Sequence, residues 1–271
     1  MRIRRVYSLG AFSVLLMLFV ACETAPITGR RQLNFIGAGQ EMQLGMSEFE
    51  KMKESTPISR DPALNELVQR VGRKIAAAAN EDLPGAQWEF VVFDSEQANA
   101  FCLPGGKVGV YKGILPITRD EEGLAVVIGH EVAHAAARHG AERMSQALAA
   151  QTGGQLLGVA LSSADPRVQS LFQLAYPIGA QVGVLLPYGR KQESEADRIG
   201  LHYMARAGYN PEAAVGFWQR FSAYNESKGG KGGPAFLRTH PVDEVRIRQI
   251  QEWLPAAKAE YRTDVISSPA R

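Results

Sequence analysis

Leu124-Ala125-Val126-Val127-Ile128-Gly129-His130-Glu131-Val132-Ala133-His134-Ala135-Ala136-Ala137-Arg138-His139 puts three of the chain's five histidines into its last ten residues, behind an aliphatic run. On a helix, His130 and His134 stand about 40° apart and one turn from each other, on one face. Two imidazoles so placed can share one metal ion, and Glu131 beside them can take a proton from water. This is the H-E-x-x-H spacing, in which Zn²⁺ acidifies water and the Glu acts as base. The preceding Leu124, Val126, Val127 and Ile128 make the helix a buried one. A buried Glu between two His is costly unless chemistry uses it. His139 lies about 140° around from His134 and reads as a surface or second-face residue.

A third ligand must come from elsewhere. A His six residues past His134, beyond a helix-breaking Gly, is ruled out, because position 140 is Gly and position 137 is Ala. The remaining candidate is Glu193-Ser194-Glu195-Ala196-Asp197. Glu193 and Asp197 share one helix face, about 40° apart, while Glu195 points about 160° away from Glu193. Glu193 is therefore the candidate ligand. Asp197 is placed to accept a hydrogen bond from a ligand His and fix its ring. Two His, one Glu and an open fourth position describe a catalytic zinc, one per chain.

Outward from these motifs the chain reads as α+β, mainly α, with one domain over residues 40–262. Gln40 to Glu54 carries an imperfect helical stripe. Asp61-Pro62 caps a helix running through Ala79. Trp88–Phe93, Ala100–Leu103 and Gly106–Lys112 are short strands of a small mixed sheet. Thr118 and Glu121 form a capping-box pattern opening a helix toward Ala150. Leu171 to Leu186 is too short and too polar for a membrane span and is expected to be a buried or substrate-covering hairpin. Lys191–Ala207 is helical, Lys228–Pro234 is a Gly-rich loop, Val242–Trp253 is a last helix, and residues 263–271 form a disordered tail.

The ends carry other information. Arg2, Arg4 and Arg5 precede Leu9–Ala21, 13 uncharged residues, which reads as a signal peptide over residues 1–21. Those three leave 27 basic residues against 28 acidic ones, too balanced for a nucleic-acid-binding protein. Phe19-Val20-Ala21-Cys22 resembles a lipobox, making Cys22 the acylated residue and 22–39 a lipidated tether rich in Pro, Gly and Arg. Glu23 favours the outer membrane. Only Cys102 then remains, so no internal disulfide is possible.

Across nearly the whole mature chain, the sequence resembles the HtpX/CAAX-endopeptidase family of gluzincin metallopeptidases, close to its periplasmic lipoprotein branch. The resemblance rests on Pro26-Ile27-Thr28-Gly29-Arg30-Arg31-Gln32-Leu33, Asn99-Ala100-Phe101, Leu103-Pro104-Gly105-Gly106, the H-E-x-x-H stretch, Glu193 to Asp197, and Thr239-His240-Pro241. It implies a zincin-like domain whose edge strand flanks the active-site helix. It also implies zinc held by His130, His134 and Glu193, with Glu131 as base. Asn99, Gly105 and Gly106 would hold an extended substrate, since a strand edge offers unpaired backbone groups to any peptide. His240 would either lock the zinc's open position or stabilise the oxyanion. Cys102 stands where a small residue is expected and puts a thiol near the cleft. The resemblance implies quality control of unfolded or misassembled envelope proteins in the periplasm, without a helical-repeat domain. A chaperone-like factor holding clients in the same cleft is the alternative.

Overall fold

The computed structural model describes residues 22–181, 185–227, 236, 240–241 and 243–261. The expected signal peptide, the Lys228–Pro234 loop, Thr239 and the 263–271 tail lie outside them. In chain order the first elements are β1 (Cys22–Thr24), β2 (Arg31–Leu33), α1 (Ala38–Ser55), α2 (Pro62–Ala79), β3 (Glu89–Phe93), β4 (Ala100–Leu103) and β5 (Lys107–Tyr111). The helices α3 (Leu115–Thr118), α4 (Glu121–Ala136), α5 (His139–Ala160), α6 (Pro166–Ala180), α7 (Leu186–Arg206), α8 (Ala213–Ser227) and α9 (Glu244–Lys258) follow. The described residues fall into two compact units, one within 38–138 and 190–271 and the other within 22–37 and 139–189.

In the larger unit, α2 starts where expected: Asp61 accepts from the Ala63 and Leu64 N–H groups, with Pro62 in the first turn. Its Val68, Val71, Ile75 and Ala79 are buried along one stripe. The sheet has the order β3–β5–β4, with β5 parallel to β3 and antiparallel to β4. Its central strand is buried along its whole length. Phe93, Phe101 and Tyr111 cluster with Phe49 of α1. Gly105 and Gly106 turn β4 into β5 with φ of +87° and +80°, a left-handed bend that glycine adopts without penalty.

Helix α4 is buried on every side from Gly123 to Ala136, as its unbroken aliphatic run requires. Two local readings change. Asp120 caps α4 through the Gly123 N–H, while Thr118 ends the short helix α3, because the chain turns at Arg119 with φ +69°. Helical structure also stops at Ala137–Arg138, where Arg138 takes φ +53°, and does not run unbroken to Ala150. His139 therefore opens α5 and is fully buried, against the surface reading.

The larger unit depends on a close helix crossing that motif reading missed. A Cβ on Gly200 would stand 3.1 Å from the Gly129 carbonyl carbon and the His130 nitrogen, and one on Gly129 would stand 3.2 Å from the Gly200 oxygen. The α4 and α7 backbones thus meet directly beside the first motif histidine. Gly200→Val should destabilise by about 1–3 kcal/mol through overpacking and weaken zinc binding together. Thermal unfolding and a zinc titration check this. An unchanged melting temperature with unchanged zinc affinity would show that the crossing tolerates a side chain.

In the smaller unit, the 22–39 segment contains a β-hairpin: Thr24 pairs Arg31 and Cys22 pairs Leu33. Arg30 grips both Glu142 carboxylate oxygens of α5 at 2.7 and 2.8 Å and Gln32 Oε1 at 3.1 Å. A charged fork of this kind holds geometry as well as energy. The backbone N–H of Phe35 donates to Ser145 Oγ. The hairpin expected over Leu171–Leu186 is helical through Ala180, but α6 buries none of its residues, so the buried version of that expectation fails. No helix among the described residues is long and apolar enough to cross a membrane.

Candidate active site

Three elements bring the expected residues together. Helix α4 carries His130, Glu131 and His134, α7 carries Glu193 and Asp197, and His240 lies just before α9. One ligand atom from each of His130, His134, Glu193 and His240 falls within 4.8 Å of all the others. The His130 and His134 Nε2 atoms are 3.1 Å apart, and each lies 3.3 Å from a Glu193 oxygen. His240 Nδ1 is 2.8 Å from Glu193 Oε2 and 3.1 Å from His130 Nε2. Tetrahedral zinc with bonds of ~2.0–2.1 Å needs ligand atoms about 3.3 Å apart, so this donor set fits zinc in both chemistry and spacing. Glu131 is buried, with Oε1 3.4 Å from His240 Nε2.

Electrostatics explain why so many ionisable groups tolerate burial together. Burial alone would lower the proton affinity of His130, yet the Asp197 and Glu193 carboxylates raise its pKa to about 9. Burial would raise Glu193, but the three surrounding histidines hold it far below the usual carboxylate range. Asp197 is also pulled down against its burial, by the Arg246 charge and by His130. His130 Nδ1 lies 2.9 Å from Asp197 Oδ1, a close contact not aligned as a linear hydrogen bond.

Arg246 was absent from the sequence reading. Its Nε and Nη2 donate to the two Asp197 oxygens at 2.6 and 2.9 Å, and its Nη1 donates to the Pro241 carbonyl. The guanidinium carbon stands 3.8 Å from the Trp218 ring centroid, a cation–π contact. The signal lay in the spacing: α9 buries Arg246, Ile250 and Ala257, positions i, i+4 and i+11 on one face. A charge on the buried stripe of a helix demands a partner. Trp218 and Phe236 extend this support as an aromatic wall, their rings 5.5 and 6.3 Å from His130, and the Phe236 ring also lies tilted 4.5 Å from His240.

The substrate residues fare differently. Tyr111 N–H donates to the Asn99 carbonyl, so odd-numbered positions of β4 face β5, and Ala100 and Cys102 present their backbone groups to the other side. No described strand pairs with that edge. The Gly105 and Gly106 carbonyls accept from Gln87 and Glu89, and a Cβ on Gly106 would meet the Trp88 ring at 3.0 Å. Those glycines serve the turn, with their carbonyls engaged by their own chain. Burial and then the Glu131 charge push the Cys102 thiol up, so it stays protonated. His202 Nδ1 lies 3.0 Å from Glu260, apart from the cluster.

Comparison with known proteins agrees with this geometry. Residues 62–254 match the profile of peptidase family M48. The chain belongs to that family. It is 37% identical to mitochondrial metalloendopeptidase OMA1 of Schizosaccharomyces pombe over 249 residues, 90% of this chain and 70% of that protein. OMA1 of Saccharomyces cerevisiae is 32% identical over 270 residues, 93% and 75% of the two chains. The β-barrel assembly-enhancing protease of Escherichia coli is 28% identical over 230 residues, 84% of this chain and 46% of that protein. The chain is thus a zinc-dependent metalloendopeptidase with an α+β, zincin-like fold.

Proposed function

We propose that His130, His134 and Glu193 are the resident zinc ligands and that this peptidase cuts unfolded or misassembled cell-envelope proteins. The observation that carries the reading is the convergence of four donor atoms within 4.8 Å, with the Glu131 carboxylate beside them. Bound there, zinc would supply Lewis acidity to water and to the scissile carbonyl. Glu131 takes the proton of the attacking water and hands it to the leaving amine. Asp197, clamped by Arg246, orients His130. The open edge of β4 holds an extended peptide through backbone bonds, which suits unfolded segments of any sequence. A folded and an unfolded form of one outer-membrane β-barrel should then differ sharply as substrates. Equal cleavage of both would end this reading.

His240 acts as a lock: its Nδ1 lies among the converging donors and would help hold the metal until substrate arrives. His240→Ala should raise basal casein cleavage while zinc stays bound. A fall of about 10²-fold would instead make it an oxyanion donor.

The proposed location is the periplasm, at the inner leaflet of the outer membrane, through acylated Cys22. The apolar run before Cys22, Glu23 after it, and the likeness to β-barrel assembly-enhancing protease support this. The likeness to OMA1 supports the peptidase core alone. Cys22→Ser should lose fatty-acid labelling and outer-membrane fractionation. Unchanged labelling and fractionation would remove the lipoprotein assignment.

A further inference from the structure

We infer that the α5–α6 hairpin is a membrane-docking surface that lies flat in the hydrocarbon boundary of a bilayer. This deepens the anchoring reading above and rests on it for the choice of occupant. Ten of the fourteen exposed large hydrophobic side chains among the described residues lie between Met144 and Leu186. The most exposed are Leu156 at 68%, Val159 at 72%, Leu171 at 67%, Leu174 at 71% and Ile178 at 66%. Leu171, Leu174 and Ile178 recur at i, i+3 and i+7, which makes a continuous stripe.

The packing of the two helices is inside-out for a water-soluble pair. Gly154 receives the Tyr176 ring, Gly158 faces Phe172, and the Tyr176 hydroxyl donates to the Ala150 carbonyl. The helices spend their small residues on each other and keep the large aliphatic ones outward. The composition agrees: between Arg143 and Arg190 the only charged residues are Asp165 and Arg167. A solvated helical hairpin of that length ordinarily carries many charges.

The position of the hairpin in the chain favours a bilayer over a second copy of the chain. The hairpin belongs to the unit whose β1 begins at Cys22, directly after the 13-residue apolar run Leu9–Ala21. Whether that run is kept or replaced by lipid, the membrane lies at the end of β1. In the same unit β2 is held to α5 by Arg30 and Glu142. Orientation follows from where the charges sit. Asp165 and Arg167 stand at the tip between the helices, with Asp165 capping α6 through the Arg167 N–H. End-on insertion would drive both into hydrocarbon, whereas a flat hairpin keeps the tip at the headgroups. With Arg167 at the tip as the one basic residue between Arg143 and Arg190, the surface needs no anionic lipid, so its binding should be insensitive to salt.

The test uses the full chain in phosphatidylcholine vesicles with a benzophenone amino acid at position 156, 171 or 174. Irradiation should produce phospholipid adducts at all three positions and none at position 51 of α1. Leu171→Gln with Leu174→Gln should cut adduct formation at 156 about tenfold or more, because two buried leucines supply much of the interfacial energy. These exposed sites lie outside the unit that holds the catalytic cluster, so casein cleavage serves as the folding control. Adducts to a second copy in place of lipid would overturn the proposal, as would none in a chain that fractionates with membranes. The latter result leaves the anchor intact. Lipid adducts in vesicles from a chain that carries no fatty acid in cells would remove the anchor and leave the docking surface standing.

Discussion

Glu131→Gln should abolish casein cleavage while leaving the zinc content at one per chain. The substituted amide is nearly the same size, so the buried pocket stays filled, but it cannot accept the proton of the attacking water. Loss of a positioned general base costs about 10²–10⁴-fold in rate. The structure makes the mutation clean: Glu131 lies beside the three histidines and Glu193, with its Oε1 3.4 Å from His240 Nε2, yet it is not among the converging donors. Metal analysis beside a cleavage assay reads both halves. Zinc present with cleavage absent in wild type as well as variant would favour a client-holding factor over a protease.

Glu193→Gln should lose tight zinc binding, and Glu195→Gln should keep it. Glu193 offers one oxygen to each motif histidine at 3.3 Å and another contact to His240 at 2.8 Å. Neutralising it removes the one anionic donor, and the three histidines lose the charge that gathers them. Glu195 is also buried, so its replacement tests folding under comparable conditions without touching the donor set. Asp197→Asn, which leaves the ligands in place but breaks the Arg246 clamp, should weaken zinc by roughly 10–100-fold. Isothermal titration with a competing chelator separates the three. Zinc loss in Glu195→Gln with retention in Glu193→Gln would mean that the face assignment on α7 is reversed.

The histidine-bearing face of α4 and the acidic face of α7 show what local pattern can carry. His130 and His134, Glu193 and Asp197, and the Asp61 cap were all legible because each depends on residues within one helical turn, where 100° per residue settles which side chains share a face. The same rule misjudged His139 only because the helix ends at Arg138 in a left-handed conformation, which no periodicity encodes. The Pro, Gly and Arg content of 22–39 reads as a tether, and says nothing of Arg30 finding Glu142 more than a hundred residues away beside a β-hairpin. An ion pair of that sequence separation leaves no local trace.

By itself, then, the amino-acid sequence determined the mixed α and β class, the buried metal helix, the identity of a second acidic helix and the chemistry both offer. Those follow from short-range geometry and from the cost of burying charge without use. Only the tertiary structure decided that His240 reaches the same donor cluster and that Arg246, seated on Trp218, clamps Asp197. It also decided that Gly129 and Gly200 let α4 and α7 touch, and that α5 and α6 turn their large apolar side chains outward. Each of these depends on which distant segments meet. That choice is made by packing the whole core, where a residue's partner is set by shape and charge in space and not by its neighbours along the chain.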